Sequence, residues 1–103
     1  DTVVGLEDAR TDTVWLRPPG GGSALEVSRY ERPGHVPTDP APPHAVGLRA
    51  VCLEITDLRA TVERLATEGY GLVGDVGEHE GTWLMAYVRG PEGIIVSLTE
   101  RIG

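Results

Sequence analysis

At 103 residues, with sixteen acidic and nine basic side chains, the chain suits one domain that hides roughly two-thirds of its unfolded surface. Its net charge of -7 repels a phosphate backbone, which argues against nucleic acid as a partner. The single cysteine, Cys52, excludes an internal disulfide and any multi-cysteine zinc site. No apolar run approaches the roughly 18 residues of a membrane span and no leader opens the chain, so a soluble, cytoplasmic protein with no membrane partner is expected. All nine basic residues are arginine, and Lys, Asn, Gln and Phe are absent, a usage expected of a GC-rich bacterial genome. The first residue is Asp1 rather than Met, from which a natural start further upstream is expected.

"DTVVGL" has the composition of a strand tail and is followed by a polar turn, "EDARTD". "TVWLR" at 13–17 and "ALEVSRY" at 24–30 are β-rich runs on either side of "PPGGGS", a pattern that predicts a hairpin with a loose glycine loop. That loop lacks the Lys-Ser/Thr and following helix of a phosphate loop. Five of the eight prolines fall between Pro33 and Pro43, so residues 33–46 are expected to form an extended, semi-rigid linker.

Beyond the linker, "LRAVCLEI" alternates as a strand does, with Val51, Leu53 and Ile55 on one face and Ala50, Cys52 and Glu54 on the other. "TDLRATVERLATEG" then changes to helical period. Leu58, Val62, Leu65 and Ala66 form its stripe, Thr56 or Asp57 is the expected N-cap, and Gly69 stands where a left-handed residue ends a helix. "GLVGDV", "TWLMAYV" and "IIVSLTE" are expected strands, while "GEHEG" has the composition of a solvated loop. In the last strand Ile95, Ser97 and Thr99 share one face, and Ile94, Val96 and Leu98 lie under the helix. In the strand before it Trp83, Met85 and Tyr87 share a face, leaving Leu84, Ala86 and Val88 for the core.

The order β, α, β, β, β from Gly47 onward, with the turn "EITDL" and the hairpin "YVRGPEGIIVSLTE", resembles the glyoxalase/bleomycin resistance/dioxygenase group, the vicinal oxygen chelate superfamily. The turn "RGPEG" is similar to that family's Asp-Pro-Asp-Gly hairpin, with Gly90 and Glu92 in place of its acids. The resemblance implies an α+β fold in which βαβββ modules form a curved mixed sheet. Residues 47–103 would be one complete second module. Residues 1–32 would be the last strands of a partial first one, with "VWLRPPGGGSALEVSRY" parallel to "AYVRGPEGIIVSLTE". Paired modules cup a ligand, so strands left without a partner imply a homodimer.

Metal-dependent members hold a divalent ion through a His or Gln in a module's first strand and a Glu in its last. Here those positions fall on Ala50, which has no donor, and on Ser97, whose neutral hydroxyl is a poor ligand. Glu26 in "ALEVS" matches the last-strand glutamate of the partial module and is the one metal candidate; its usual first-strand partner would precede Asp1. No cofactor is therefore expected, with a divalent metal through Glu26 as the alternative. Tyr87 lies ten residues before Ser97, the interval between a cavity tyrosine and the ligand glutamate in extradiol dioxygenases of the superfamily, and is the catalytic candidate as an orienting donor or weak acid. Ala50, Cys52, Trp83, Met85, Tyr87 and Ser97 are the expected ligand-binding set for a small organic molecule.

His35, His44 and His79 show no paired metal spacing, and Cys52 has no nearby histidine to activate it, so it is expected to be a small apolar filler. Two functions remain open: an enzyme (a glyoxalase-like lyase, an isomerase or a dioxygenase) or a module that sequesters a ligand, as bleomycin resistance proteins do. The net charge favours a cationic or neutral ligand.

Overall fold

The structure is a computed structural model and describes residues 4–103. The expected strand tail at "DTVVGL" lies outside the described residues over 1–3, and Val4–Leu6 carry no strand. The backbone divides into two compact units, Asp1–Thr38 and Asp39–Gly103, with the boundary inside the proline-rich segment.

The first unit is a hairpin of β1 (Arg10–Leu16) and β2 (Leu25–Arg32), paired antiparallel with Val14 opposite Val27, Trp15 opposite Glu26 and Leu16 opposite Leu25. β1 begins within the stretch "EDARTD" that composition marks as a turn. Its charges line up with partners across and along the ladder: Arg29 reaches Asp12 and Glu31 at 3.4 Å each, and Arg10 meets Glu31 at 2.8 Å. These pairs are exposed and each contributes at most about 1 kcal/mol.

The second unit is a four-stranded mixed sheet with one helix on one face. β3 (Ala50–Glu54), β4 (Gly77–His79), β5 (Trp83–Arg89) and β6 (Ile95–Arg101) lie in the order β3-β6-β5-β4; β3 runs parallel to β6 and the other pairs are antiparallel. α1 (Leu58–Thr67) supplies the crossover between β3 and the rest of the sheet. Leu58, Leu84, Ala86, Val88 and Leu98 form the buried core, and Ile55, Val62, Leu65, Tyr70, Val76 and Val96 pack against it. Leu58, Val62 and Leu65 of the helical stripe and the alternation of β5 therefore point as the sequence predicts, whereas Ala66 is exposed.

Two apolar residues on the helix side of the strands, Leu53 and Ile94, are exposed. Leu53 is 44% exposed because β3 is the sheet edge and α1 packs on β5 and β6. Ile94 is exposed because it precedes β6, at the end of the short turn Pro91–Gly93. That turn closes with the Gly90 N–H on the Ile94 carbonyl at 2.6 Å. Gly93 has φ +79, and a Cβ there would stand 2.9 Å from the ring of Pro40, so glycine is required both for the turn and for the proline beside it.

The helix ends also differ in how well sequence foretells them. At the C-terminus Gly69, with φ +91, donates to the Ala66 carbonyl and Tyr70 to that of Leu65, a Schellman pair that brings Tyr70 back against the core. At the N-terminus neither Thr56 nor Asp57 caps. Asp57 adopts φ 53 and ψ 53 and makes no side-chain cap. The Glu100 carboxylate on β6 accepts instead from the Asp57 N–H at 3.2 Å and the Leu58 N–H at 2.9 Å. A carboxylate there satisfies orphan donors and lies at the positive end of the helix dipole.

Residues 71–79 depart most from expectation. Leu72 bridges Val88, the Val73 N–H donates to the Tyr87 carbonyl and the Arg89 N–H to that of Gly71, so the chain begins to follow β5 here. It leaves β5 at 74–76 and rejoins it as β4 at Gly77–His79. The strand thus falls on "GEH", read from composition as loop, while most of "GLVGDV" is irregular.

Candidate functional site

The sheet face away from α1 is built from rungs that the strand register fixes. Cys52, Ser97 and Tyr87 form one row across β3, β6 and β5; Glu54, Thr99, Met85 and Gly77 form the next; Arg101, Trp83 and His79 form a third. Residues opposite each other in a ladder project to the same side, with Cβ atoms roughly 4.5–5.5 Å apart in antiparallel pairs. Ser97 therefore belongs to this face and not to the core, which accounts for a hydroxyl in the middle of an apolar run. Ala50 is on the same face, opposite Ile95 and one rung removed from Ser97.

Accessibility separates these residues. Met85 and Tyr87 are exposed, whereas Ser97 is only 5% exposed between its neighbours. Cys52, expected to be a small apolar filler, carries an exposed free thiol on β3, the edge of the sheet. Trp83 is half-buried with the Arg101 guanidinium 5.9 Å from its ring centroid, a cation–π arrangement. Arg101 also donates from Nε to the Gly103 carbonyl, and Arg89 donates to the carbonyls of Ala41 and Gly93, both at 2.9 Å. Both arginines of this face are thus engaged.

The departure of the chain at 74–76 opens a groove of about 350 Å³ between that segment and β5, lined by Val73, Gly74, Asp75, Gly77, Met85 and Tyr87. Val76 turns into the core, while its neighbour Asp75 is exposed and is among the residues lining the groove. Gly77 has no atom near its missing Cβ, so the space beside Met85 stays open. Asp75 and Gly77 were not legible as site residues, because a segment without regular period offers no face assignment.

Ala50 presents a methyl group and Ser97 a neutral hydroxyl, and among the described residues no group of three or more His, Cys, Asp and Glu is placed to hold an ion. His79 lies exposed on β4, 3.8 Å from the Glu80 carboxylate, and His35 and His44 lie in the proline-rich stretch. Glu26 stands exposed on β2 opposite Trp15, accepting from the Ser28 hydroxyl at 3.3 Å. Among the described residues no helix is long and apolar enough to cross a membrane.

No protein-family model and no curated protein matches the chain. Among solved structures, the crystal structure of a glyoxalase family protein from Bacillus cereus matches with a TM-score of 0.91 and 34% sequence identity over 99% of this chain and 69% of that one. At that identity, over two thirds of the relative and nearly all of this chain, the chain belongs to the glyoxalase family.

Proposed function

We propose that this glyoxalase family protein binds a small organic molecule on the sheet face of its second unit, without a metal held by that unit. The observation that carries it is the row Cys52–Ser97–Tyr87 beside Met85 and the groove: an accessible phenol and thioether on one sheet face, and no strong metal donor at Ala50 or Ser97. Residues 47–103 act as the complete module, and residues 1–32 as the closing hairpin of another, joined by the linker 33–46. Tyr87 orients the ligand and, where the ligand reacts, serves as its weak acid. The protein works as a homodimer in a bacterial cytoplasm. The exposed edge strand β3 and the apolar side of the β1–β2 hairpin support a dimer, and a monomer by light scattering at micromolar concentration would remove it.

A metal-dependent lyase, isomerase or dioxygenase is the second reading, favoured by one observation. Glu26 faces Trp15 as Ser97 faces Tyr87, so the first unit carries a carboxylate where the second has lost one. Metal content decides between the two. After dialysis the wild-type protein is expected to hold substoichiometric metal; one tight ion per chain that is lost in Glu26→Ala would establish the second reading instead. Ala50→His with Ser97→Glu is expected to raise affinity for Ni(II) or Zn(II), because both new donors occupy one sheet face on adjacent strands.

A further inference from the structure

We infer that the groove between residues 73–77 and β5 selects an organic cation, with the ligand's apolar body on Met85 and Tyr87 and its positive group at Asp75. This rests on the sheet-face ligand site proposed above and names its ligand class. Asp75 is the one ionised side chain among the residues lining the groove, and among the described residues it has no ion pair or hydrogen bond. The cations that share the sheet face cannot neutralise it without leaving partners of their own: Arg89 is held by the Ala41 and Gly93 carbonyls, and Arg101 by Trp83 and the Gly103 carbonyl. An anionic ligand would therefore meet an uncompensated carboxylate. A cation finds a counter-charge, the polarisable sulfur of Met85 and the aromatic ring of Tyr87, all of which favour positive charge. Glu54 stands on the same rung as Met85 and Thr99, and the net charge of -7 raises the local concentration of cations. Gly77 leaves open the space that an aromatic or alicyclic body would fill.

The chain has a single methionine, so methyl-13C-methionine labelling gives one resonance, from Met85 on the groove wall. Three probes with the same ring and different charge serve as ligands: 2-phenylethylammonium, 2-phenylethanol and 3-phenylpropionate. The ammonium is expected to shift the Met85 methyl saturably and to bind at least tenfold more tightly than the other two. That preference should shrink in high salt, disappear in Asp75→Asn and survive in Asp75→Glu, whose conserved charge checks that the variant still folds. Gly77→Val should weaken all three probes by filling the groove. Equal affinities for the three probes would overturn the cation assignment, and a preference that survives Asp75→Asn would overturn Asp75 as its counter-charge, either result leaving the sheet-face site standing. A Met85 methyl that moves with none of them would overturn the groove itself as the cation site, and the site on the Cys52–Ser97–Tyr87 row would then be tested through Tyr87.

Discussion

The hairpins β1–β2 and β5–β6 share one register and differ in what lies on them. Val14 opposite Val27 corresponds to Ala86 opposite Leu98, Leu16 and Leu25 to Val88 and Val96, and Trp15 and Glu26 to Tyr87 and Ser97. Yet Val14 and Val27 are 53% and 49% exposed, while Ala86 and Leu98 are 3% and 4% exposed. Strand alternation decides which residues share a face; it does not decide whether that face is buried. In the second unit the burial of Ala86 and Leu98 comes from α1, whose Leu58 is fully enclosed. The largest effect should therefore follow from Leu58→Ala, which is expected to cost about 2–5 kcal/mol through lost transfer energy and a cavity. Val14→Ala should cost well under about 1 kcal/mol as a half-exposed change. Urea unfolding of both variants checks the contrast, and equal losses would mean that the apolar side of β1–β2 is covered in solution.

The next difference lies at the matching positions Glu100 and Arg29. Glu100 extends from the helix side of β6 to two free N–H groups of α1, whereas Arg29 meets Asp12 and Glu31 in solvent. Glu100→Ala removes charge-assisted bonds from one exposed and one partly buried donor and should cost about 1–3 kcal/mol. Arg29→Ala should stay within about 0.5 kcal/mol of wild type, since exposed pairs contribute little. A thermal melt in which Arg29→Ala is the more damaging change would mean that the surface pairs hold their hairpin together, contrary to their exposure.

These contrasts also show which parts of the molecule sequence can disclose. Period two placed Tyr87, Ser97 and Cys52 on one face, and period 3.6 placed Leu58, Val62 and Leu65 toward the core, because each pattern depends only on neighbouring residues. The glycine that ends the helix was legible for the same reason. Glu100 was not: its capping role joins residues more than forty apart in the chain, and Thr56 and Asp57 offered a local alternative that the left-handed backbone at Asp57 discards. Leu53 failed in another way. Its alternation is correct, but its exposure follows from β3 being an edge that the helix does not cover. The groove residues Asp75 and Gly77 lie where the chain leaves and rejoins β5, so no period could assign them to a face.

The smallest effect concerns the pairs Tyr87–Ser97 and Trp15–Glu26, which occupy matching rungs of the two hairpins. The Tyr87 hydroxyl stands on an accessible side chain, while the hydroxyl beside it on Ser97 belongs to a nearly enclosed residue, so a ligand on this face meets the phenol first. Tyr87→Phe keeps the ring and its contact with the groove and deletes one donor. It should weaken binding of a ligand that accepts from the phenol by about 0.5–1.5 kcal/mol, the worth of one neutral hydrogen bond. Ser97→Ala should change that affinity less, and Trp15→Phe, the matching aromatic change on β1, should leave it unaltered. Titration calorimetry on the three variants with one ligand separates these outcomes. If Trp15→Phe costs more than Tyr87→Phe, the ligand is recognised by the β1–β2 hairpin, and the aromatic of the second unit packs against its own sheet without a role in binding.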